Sequence, residues 1–456
     1  MQGGIAAGNP ALHASSTGTL SQDLLTAEYD NLLACVRCGL CLTACPTYVL
    51  TAHEAEGPRG RVAMLRALAE GRLALTPDLV AHEQSCLVCD ACSAVCPAGV
   101  RMDPLQVAFR AATAPAAPRP PWQRLVRHVV FRGVFGDMRI FRLVARLLWL
   151  YQRAGAQALM RRAGLLRLLR LAEREALLPP IPRRFVVPRG EVYRGRNTQG
   201  AASGAPTVRV AFFAGCVMAT GLAEVDRATL RVLRRAGCDV VNPAGQGCCG
   251  ALHAHGGDRE GARQLARRNV AAFEAAGDAP IVVNAAGCGA MLKDYAHLLA
   301  DDPAWAARAQ AFAARVRDVT EYLAARPDGA LRYPRPAGDA AAVCVAYQDA
   351  CHLAHAQGLR EPPRALLRAV PGLELREMAE SGLCCGSAGV YNVTHPAVAR
   401  ALRERKVDAA LATGADVIAT ANPGCLLQLR AGLRARGSRV EVRHVVELLD
   451  AASAEC

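Results

Sequence analysis

The stretch Gly245-Gln-Gly-Cys-Cys-Gly-Ala-Leu-His-Ala-His-Gly-Gly257 sets two cysteines side by side with glycine directly after them. It returns as Glu380-Ser-Gly-Leu-Cys-Cys-Gly-Ser-Ala-Gly-Val-Tyr-Asn392. Adjacent side chains can serve one centre only where the backbone bends sharply, and glycine permits that bend. Each pair has distant companions: Cys216 and Cys288 around Cys248-Cys249, and Cys351 and Cys425 around Cys384-Cys385. The second set follows the first at offsets of 135, 136 and 137 residues. Self-similarity at a fixed period means two copies of one structural unit.

Short apolar runs around these cysteines read as buried strands. They are Val208–Ala214, Cys238–Asn242, Pro280–Asn284, Val343–Tyr347 and Asp416–Thr420, separated by helix-like stretches. Such alternation predicts α/β units with a parallel sheet. In each copy the first and last cysteines come just after a predicted strand, the edge where open α/β sheets place ligands. Four thiolates could then hold one metal cluster. A buried small-residue turn and a vicinal disulfide are the competing readings. Cys238 and Cys344 adjoin strands and read as small buried residues, while Cys456 carries no assignment. His253, His255, His352 and His355 lie near the cysteines, either tuning sulfur through hydrogen bonds or satisfying loop carbonyls.

Further upstream, Cys35-Val-Arg-Cys38-Gly-Leu-Cys41-Leu-Thr-Ala-Cys45-Pro46 fits C-x2-C-x2-C-x3-C-P, and so does Cys86-Leu-Val-Cys89-Asp-Ala-Cys92-Ser-Ala-Val-Cys96-Pro97. Three cysteines at two-residue gaps can wrap one face of a [4Fe–4S] cube, and proline stops the turn continuing as helix. In two-cluster ferredoxins the fourth cysteine of each run ligates the other cluster. The spacing therefore assigns Cys35, Cys38, Cys41 and Cys96 to one cube, and Cys86, Cys89, Cys92 and Cys45 to the other. Zinc or free thiols are the alternatives. Between the motifs, Gly60–Glu70 has helical periodicity, which resembles the helical ferredoxin domain of the succinate dehydrogenase iron–sulfur subunit.

The chain has 456 residues and a formal net charge of +14, with only two lysines, Lys293 and Lys406. Between Arg119 and Arg196 eighteen arginines face four acids, so this segment carries the whole excess and the remainder is neutral. That distribution speaks against a nucleic-acid binder. The segment has helical periodicity from about 122 to 178. Arg139, Arg142, Arg146, Arg153 and Arg161 fall near one face; Phe141, Leu143, Leu147, Leu148 and Leu150 cover much of the rest. It reads either as a membrane-surface helix or as a scaffold helix packed on its own domains or on partner subunits. No secretory signal and no apolar run of about 18 residues is present, which predicts a cytoplasmic protein with reduced thiols. Nineteen cysteines then argue for metal. No dinucleotide-binding glycine pattern, Walker loop or Ser–His–Asp constellation is found, so no catalytic residue is assigned.

The pattern C-x31-CCG-x37-C, with GQGCCGALHAHGG, YQDACHLAHAQGLREPPRALL, CCGSAGVYNVTHP and ANPGCLLQL, resembles the CCG domain. That domain occurs in heterodisulfide reductase subunits, lactate-utilisation proteins, and iron–sulfur subunits of glycolate oxidase and anaerobic glycerol-3-phosphate dehydrogenase. With the two ferredoxin motifs ahead of it, the chain is similar above all to the glycolate oxidase iron–sulfur subunit, over about residues 22–450. The family pattern often ends C-x-x-C; here the last position is Met291 and then Gln428.

The resemblance implies an α+β multidomain chain. Residues 1–30 are a tail, 31–112 a helical ferredoxin domain, 113–204 the basic helical segment with linkers, 205–335 the first CCG module and 336–456 the second. It implies two [4Fe–4S] clusters, further clusters in the CCG modules, FAD-containing partner subunits that turn glycolate into glyoxylate, and a quinone or other acceptor. The basic helix would suit the inner face of the cytoplasmic membrane. The rival readings are a disulfide-reducing subunit, a lactate or glycerol-3-phosphate dehydrogenase subunit, and a metal-free scaffold.

Overall fold

The computed structural model describes residues 25, 27–114, 120–169, 171–195, 208–326, 331–334 and 342–453. Most of the expected tail 1–30, most of the Ala114–Pro121 linker, nearly all of the Gly195–Pro206 linker, and Cys456 lie outside the described residues. The chain is an α+β multidomain protein, with a helical cysteine-rich unit, a helical arginine-rich segment and two α/β units in chain order.

In the first unit the helix Pro58–Ala69 begins with proline, whose missing N–H would have no partner there anyway. It buries Val62, Leu65 and Leu68 against Leu79 of Pro77–Gln84 and against Leu105 and Phe109 of Met102–Thr113. Thr76 caps Pro77–Gln84 by accepting the Leu79 N–H at 3.2 Å. These helices frame the two cysteine loops.

The arginine-rich segment is not one helix. It is broken into Pro121–His128, a wider turn Val129–Val134, Met138–Arg153, Ala156–Arg162, Leu165–Leu168 and Ala172–Glu175. Gly155 and Gly164, at φ +74° and +69°, end successive pieces.

The first α/β unit contains β1 (Val192–Tyr193), β2 (Val208–Phe213), β3 (Cys238–Val241), β4 (Ile281–Val283) and β5 (Val316–Asp318), in the order β1-β3-β2-β4-β5. All neighbours are parallel except β1, which runs antiparallel to β3. The second contains β6 (Val343–Tyr347), β7 (Leu373–Glu377), β8 (Val417–Thr420) and β9 (Glu441–His444), all parallel in the order β7-β6-β8-β9. Without β1, both sheets have the same topology, so the repeat read from the cysteines extends to whole units. Their central strands are buried apolar runs, as strands covered on both faces must be.

One continuous core joins the two units, taking Phe212, Phe273 and Ile281 from the first and Val345, Ile418 and Val446 from the second. Asp450 accepts from Arg231 and Arg235 at 2.6 and 2.7 Å across the junction. The backbone N–H of Ala286 reaches the Ala421 carbonyl at 3.1 Å, and His444 Nε2 donates to the Asn284 carbonyl at 2.9 Å. The carboxyl ends of both sheets, where the cysteines lie, therefore meet in the interior of the molecule.

Candidate metal centres

Each ferredoxin-type loop carries the same backbone wrap. Arg37 and Gly39 in the first, and Val88 and Asp90 in the second, have positive φ at matching places. A β-branched valine at φ +51° is a strained conformation. Its repetition in both loops marks a backbone bent around something common to both. The structure brings the fourth cysteine of each run to the other loop. Cys45 lines a small cavity with Cys86, Cys89 and Cys92. Cys96 lines another with Cys35, Cys38 and Cys41. Four thiols around each cavity fit a cube held by thiolates. Among the described residues, no group of three or more His, Cys, Asp or Glu side chains is placed to hold a single metal ion.

Electrostatics distinguish the two sets. The first is near solvent, with Cys38 exposed; in the second, Cys45, Cys86 and Cys89 are buried. Burial pushes the Cys92 thiol far up, and the neighbouring Cys86, Asp90 and Cys45 add to this. Two guanidinium groups lie close by. Arg61, 1% exposed, donates to Glu56 at 2.7 Å, Ser85 Oγ at 2.7 Å, the His82 carbonyl at 3.1 Å and Thr47 Oγ1 at 3.1 Å, and lies 3.9 Å from Cys45 Sγ. Arg110 donates to the Cys86 carbonyl at 2.6 Å. Glu83 is pushed by burial up to about 8 and accepts from Gln106 at 2.6 Å. Sequence reasoning missed both arginines. Arg61 had a signal, since it stands on the helix face that also carries Val62, Leu65 and Leu68.

In the α/β units all cysteines of the repeat sit at carboxyl ends of strands. Cys216 follows β2 and Cys351 follows β6. Cys288 and Cys425 lie in the first turns of Ala286–Lys293 and Pro423–Ala435, after β4 and β8. The strand order reverses between β2 and β4, and between β6 and β8, which is the crevice position of such sheets. The paired cysteines close the group. Gly250 and Gly386 have φ +89° and +82°, and a Cβ on Gly386 would stand 2.6 Å from the Ala399 carbonyl oxygen. Glycine is thus required at that bend for both torsion and space. Thiol contacts then run Cys216–Cys248–Cys249–Cys288 and Cys351–Cys384–Cys385–Cys425. All eighteen cysteines among the described residues are free, so neither pair forms a vicinal disulfide. Met291 and Gln428 are buried at the two fifth positions, and Gln428 donates to the Ala399 carbonyl at 3.2 Å.

Three of the four nearby histidines bond to carbonyls, the plainer of their two readings, and His253 also acts on the Cys248 thiol, as the tuning reading expects. His253 donates to Phe131 at 2.8 Å, His352 to Val88 at 2.7 Å and His355 to Gly382 at 2.8 Å. His255 lies 3.3 Å from Asp103. Cys238 is buried on β3 beside the Tyr322 hydroxyl, and Cys344 is half-buried on β6.

The cysteine sets adjoin one another. Leu87 and Cys89 pack in one apolar cluster with Cys384 and Tyr391, and Cys351 packs against it. An open crevice of about 340 Å³ lies where the helical unit meets both α/β units, bordered by Asp90, Asp103, His255, Met291 and His352. On the far side, Cys216, Cys248 and Leu265 are covered by Phe135, Met138 and Phe141 of the arginine-rich segment.

Comparison with known proteins matches residues 31–100 to a family described as "4Fe-4S dicluster domain". Residues 122–178 match "Glycolate oxidase iron-sulfur subunit, linker region", and residues 210–293 and 345–430 each match "Cysteine-rich domain". The chain is 39% identical over 431 residues to the "Probable glycolate oxidase iron-sulfur subunit" of Bacillus subtilis (strain 168), covering 92% of this chain and 94% of the relative. It is 33% identical over 442 residues to the "Glycolate oxidase iron-sulfur subunit" of Escherichia coli (strain K12), covering 96% and 98%. "Lactate utilization protein A" of an Exiguobacterium species is 33% identical over 245 residues, 53% of this chain and 96% of that protein.

Proposed function

The chain belongs to the glycolate oxidase iron–sulfur subunit family, an iron–sulfur electron-transfer subunit of an oxidoreductase. On that premise we propose that it serves a flavin-dependent enzyme oxidising glycolate to glyoxylate, with FAD and substrate held on partner chains and a quinone or other acceptor taking the electrons. The proposed ligands are Cys35, Cys38, Cys41 and Cys96 for one [4Fe–4S] cluster and Cys45, Cys86, Cys89 and Cys92 for the other. Cys216, Cys248, Cys249 and Cys288, with Cys351, Cys384, Cys385 and Cys425, are proposed for clusters in the α/β units. When bound, such groups accept and release single electrons without protons or substrate contacts.

The observation that carries this reading is the crosswise lining of the two cavities by all eight ferredoxin-type cysteines. The chain's own residues do the rest. Val36 and Leu40 are exposed beside the solvent-facing first set and offer a docking point for an electron-donating subunit. Arg61 and Arg110 place fixed positive charge beside the buried second set, which favours added negative charge there. Leu87, Tyr391 and Leu402 exclude water between that set and the second α/β unit.

The test is reconstitution. The purified chain should contain iron and acid-labile sulfide, contain no flavin, and leave glycolate untouched. Added flavin subunits should give dye-linked glycolate oxidation, with lactate and glycerol-3-phosphate as comparison substrates. Glycolate oxidation by the chain alone would overturn the reading.

A further inference from the structure

No helix among the described residues is long and apolar enough to cross a membrane. Yet thirteen of the twenty-two exposed large apolar side chains among the described residues fall between Trp122 and Leu171. Exposure on this scale within one short segment marks an interaction surface. Its clearest part is the helix Met138–Arg153. Ile140, Leu143, Leu147 and Leu150 are 42%, 59%, 58% and 54% exposed, and their spacing puts them in one line along the helix. Arg139, Arg146 and Arg153, also exposed, fall at neighbouring angles beside that line. The opposite side is filled: Ala145 is buried, and Met138 and Phe141 pack over Cys216 and Cys248.

Most of the charge around this face is left without a carboxylate, although Arg146 donates to the Arg183 carbonyl and lies over the Phe185 ring. Arg124, Arg139, Arg142, Arg153, Arg162 and Arg167 make no ion pair among the described residues. Between Trp122 and Leu171 eleven arginines stand with a single acid, Asp137, and a surface of one sign suits a polyanionic layer. A helix lying in the headgroup layer wants this pattern, with leucine below and guanidinium reaching phosphate.

We propose that the exposed face of Met138–Arg153 is a docking surface for an anionic phospholipid bilayer. The proposal rests on the function proposed above and adds the place at which the complex meets its membrane. It also gives the covering of Cys216 and Cys248 a purpose. These thiols lie on the other side of this helix, so the membrane surface would be about one helix diameter, roughly 10 Å, away. The first α/β unit thereby becomes the membrane-facing end of the chain.

The experiment is flotation of the iron-loaded full chain with vesicles of phosphatidylglycerol and phosphatidylcholine, against phosphatidylcholine alone. We expect flotation with the anionic vesicles only, weakened by salt, and at least about tenfold weaker in Leu143→Glu/Leu147→Glu. Both leucines are exposed, and iron content with circular dichroism reports whether the fold is kept. Should that variant misfold, Arg139→Gln/Arg142→Gln/Arg153→Gln reads the same face. Three results would overturn the proposal: no flotation with anionic vesicles at low salt, equal flotation of wild type and folded variant, or loss of flavin-subunit binding while flotation persists. Dye-linked glycolate oxidation by the assembled complex should be unchanged by these variants. Its complete absence in wild type would sink the functional reading and leave the vesicle result standing.

Discussion

The imidazole Nε2–H of His352 donates to the backbone carbonyl of Val88 at 2.7 Å. Val88 lies between Cys86 and Cys89, and His352 directly follows Cys351, so one hydrogen bond fastens the second ferredoxin-type loop to the second α/β unit. The contact bridges 264 residues of sequence. Each loop is already shaped by its own cysteines; the bond sets their separation.

His352→Ala should therefore loosen the joint without emptying either site. Iron content should stay at the wild-type value. Magnetic interaction between neighbouring reduced centres, read by microwave power saturation, should weaken. Loss of iron equal to that of a cysteine variant would show that His352 shapes a site instead of a joint.

Arg61 is expected to raise the reduction potential of the centre at Cys45, Cys86, Cys89 and Cys92. A unit charge several Å away at an effective dielectric of about 20 contributes roughly 2–3 kcal/mol, on the order of 100 mV for one electron. Arg61→Met should lower that potential by this order and leave the centre at Cys35, Cys38, Cys41 and Cys96 nearly unmoved. It should also cost about 3 kcal/mol of stability, because Glu56 is left without its buried partner. Potentiometric titration and denaturant unfolding check the two parts separately.

Gly386→Ala meets both a φ of +82° and a backbone oxygen at 2.6 Å. The expected cost is about 1–3 kcal/mol or more, with loss of iron confined to the second α/β unit. Gly71→Ala is the control: it shares a positive φ of +69° but meets nothing within 4 Å. It should cost only the torsional penalty of roughly 1–2 kcal/mol and lose no iron.

The junction between the α/β units contains a group with a calculable pH response. Burial lowers His444 to about 4, with Nε2–H donating to Asn284 and Nδ1 accepting from the Val446 N–H at 3.2 Å. Its folded-state value is depressed, so its stabilisation is complete above the unfolded value near 6.5 and is lost as pH falls from there toward 4. Between pH 7.5 and 5.5 this removes about 1 kcal/mol. Urea unfolding of wild type and His444→Gln at both values should show a smaller pH dependence in the variant. Equal dependence would contradict the assignment.

Much of this was legible in the sequence because ligand spacing is a local property. The eight ferredoxin-type cysteines and the repeated pairs announce themselves within runs of a dozen residues. The central strands β2, β4 and β8 are apolar because both faces are covered. The edge strands were not legible: Val316-Arg-Asp318, Leu373-Glu-Leu-Arg-Glu377 and Glu441-Val-Arg-His444 are short and charged, and each lies at the end of its sheet. Arg61 was passed over because a buried cation is recognised only once its partners Glu56 and Ser85 are known to converge. The shared core and the His444–Asn284 contact depend on which unit surfaces meet, which no local pattern encodes. Nor does periodicity say which side of Met138–Arg153 faces outward; the packing of Phe141 over Cys216 decides it.

Both proposed cubes depend on the crosswise sharing of cysteines between the two loops. The decisive measurement is potentiometric EPR of the anaerobically purified full chain and of Cys45→Ser. Wild type should show at least two [4Fe–4S] signals with distinct potentials. Cys45→Ser should damage the signal that Cys86→Ser also damages, and spare the one lost in Cys38→Ser. Loss of the Cys38-dependent signal instead, or a chain that binds zinc in place of iron, would contradict it.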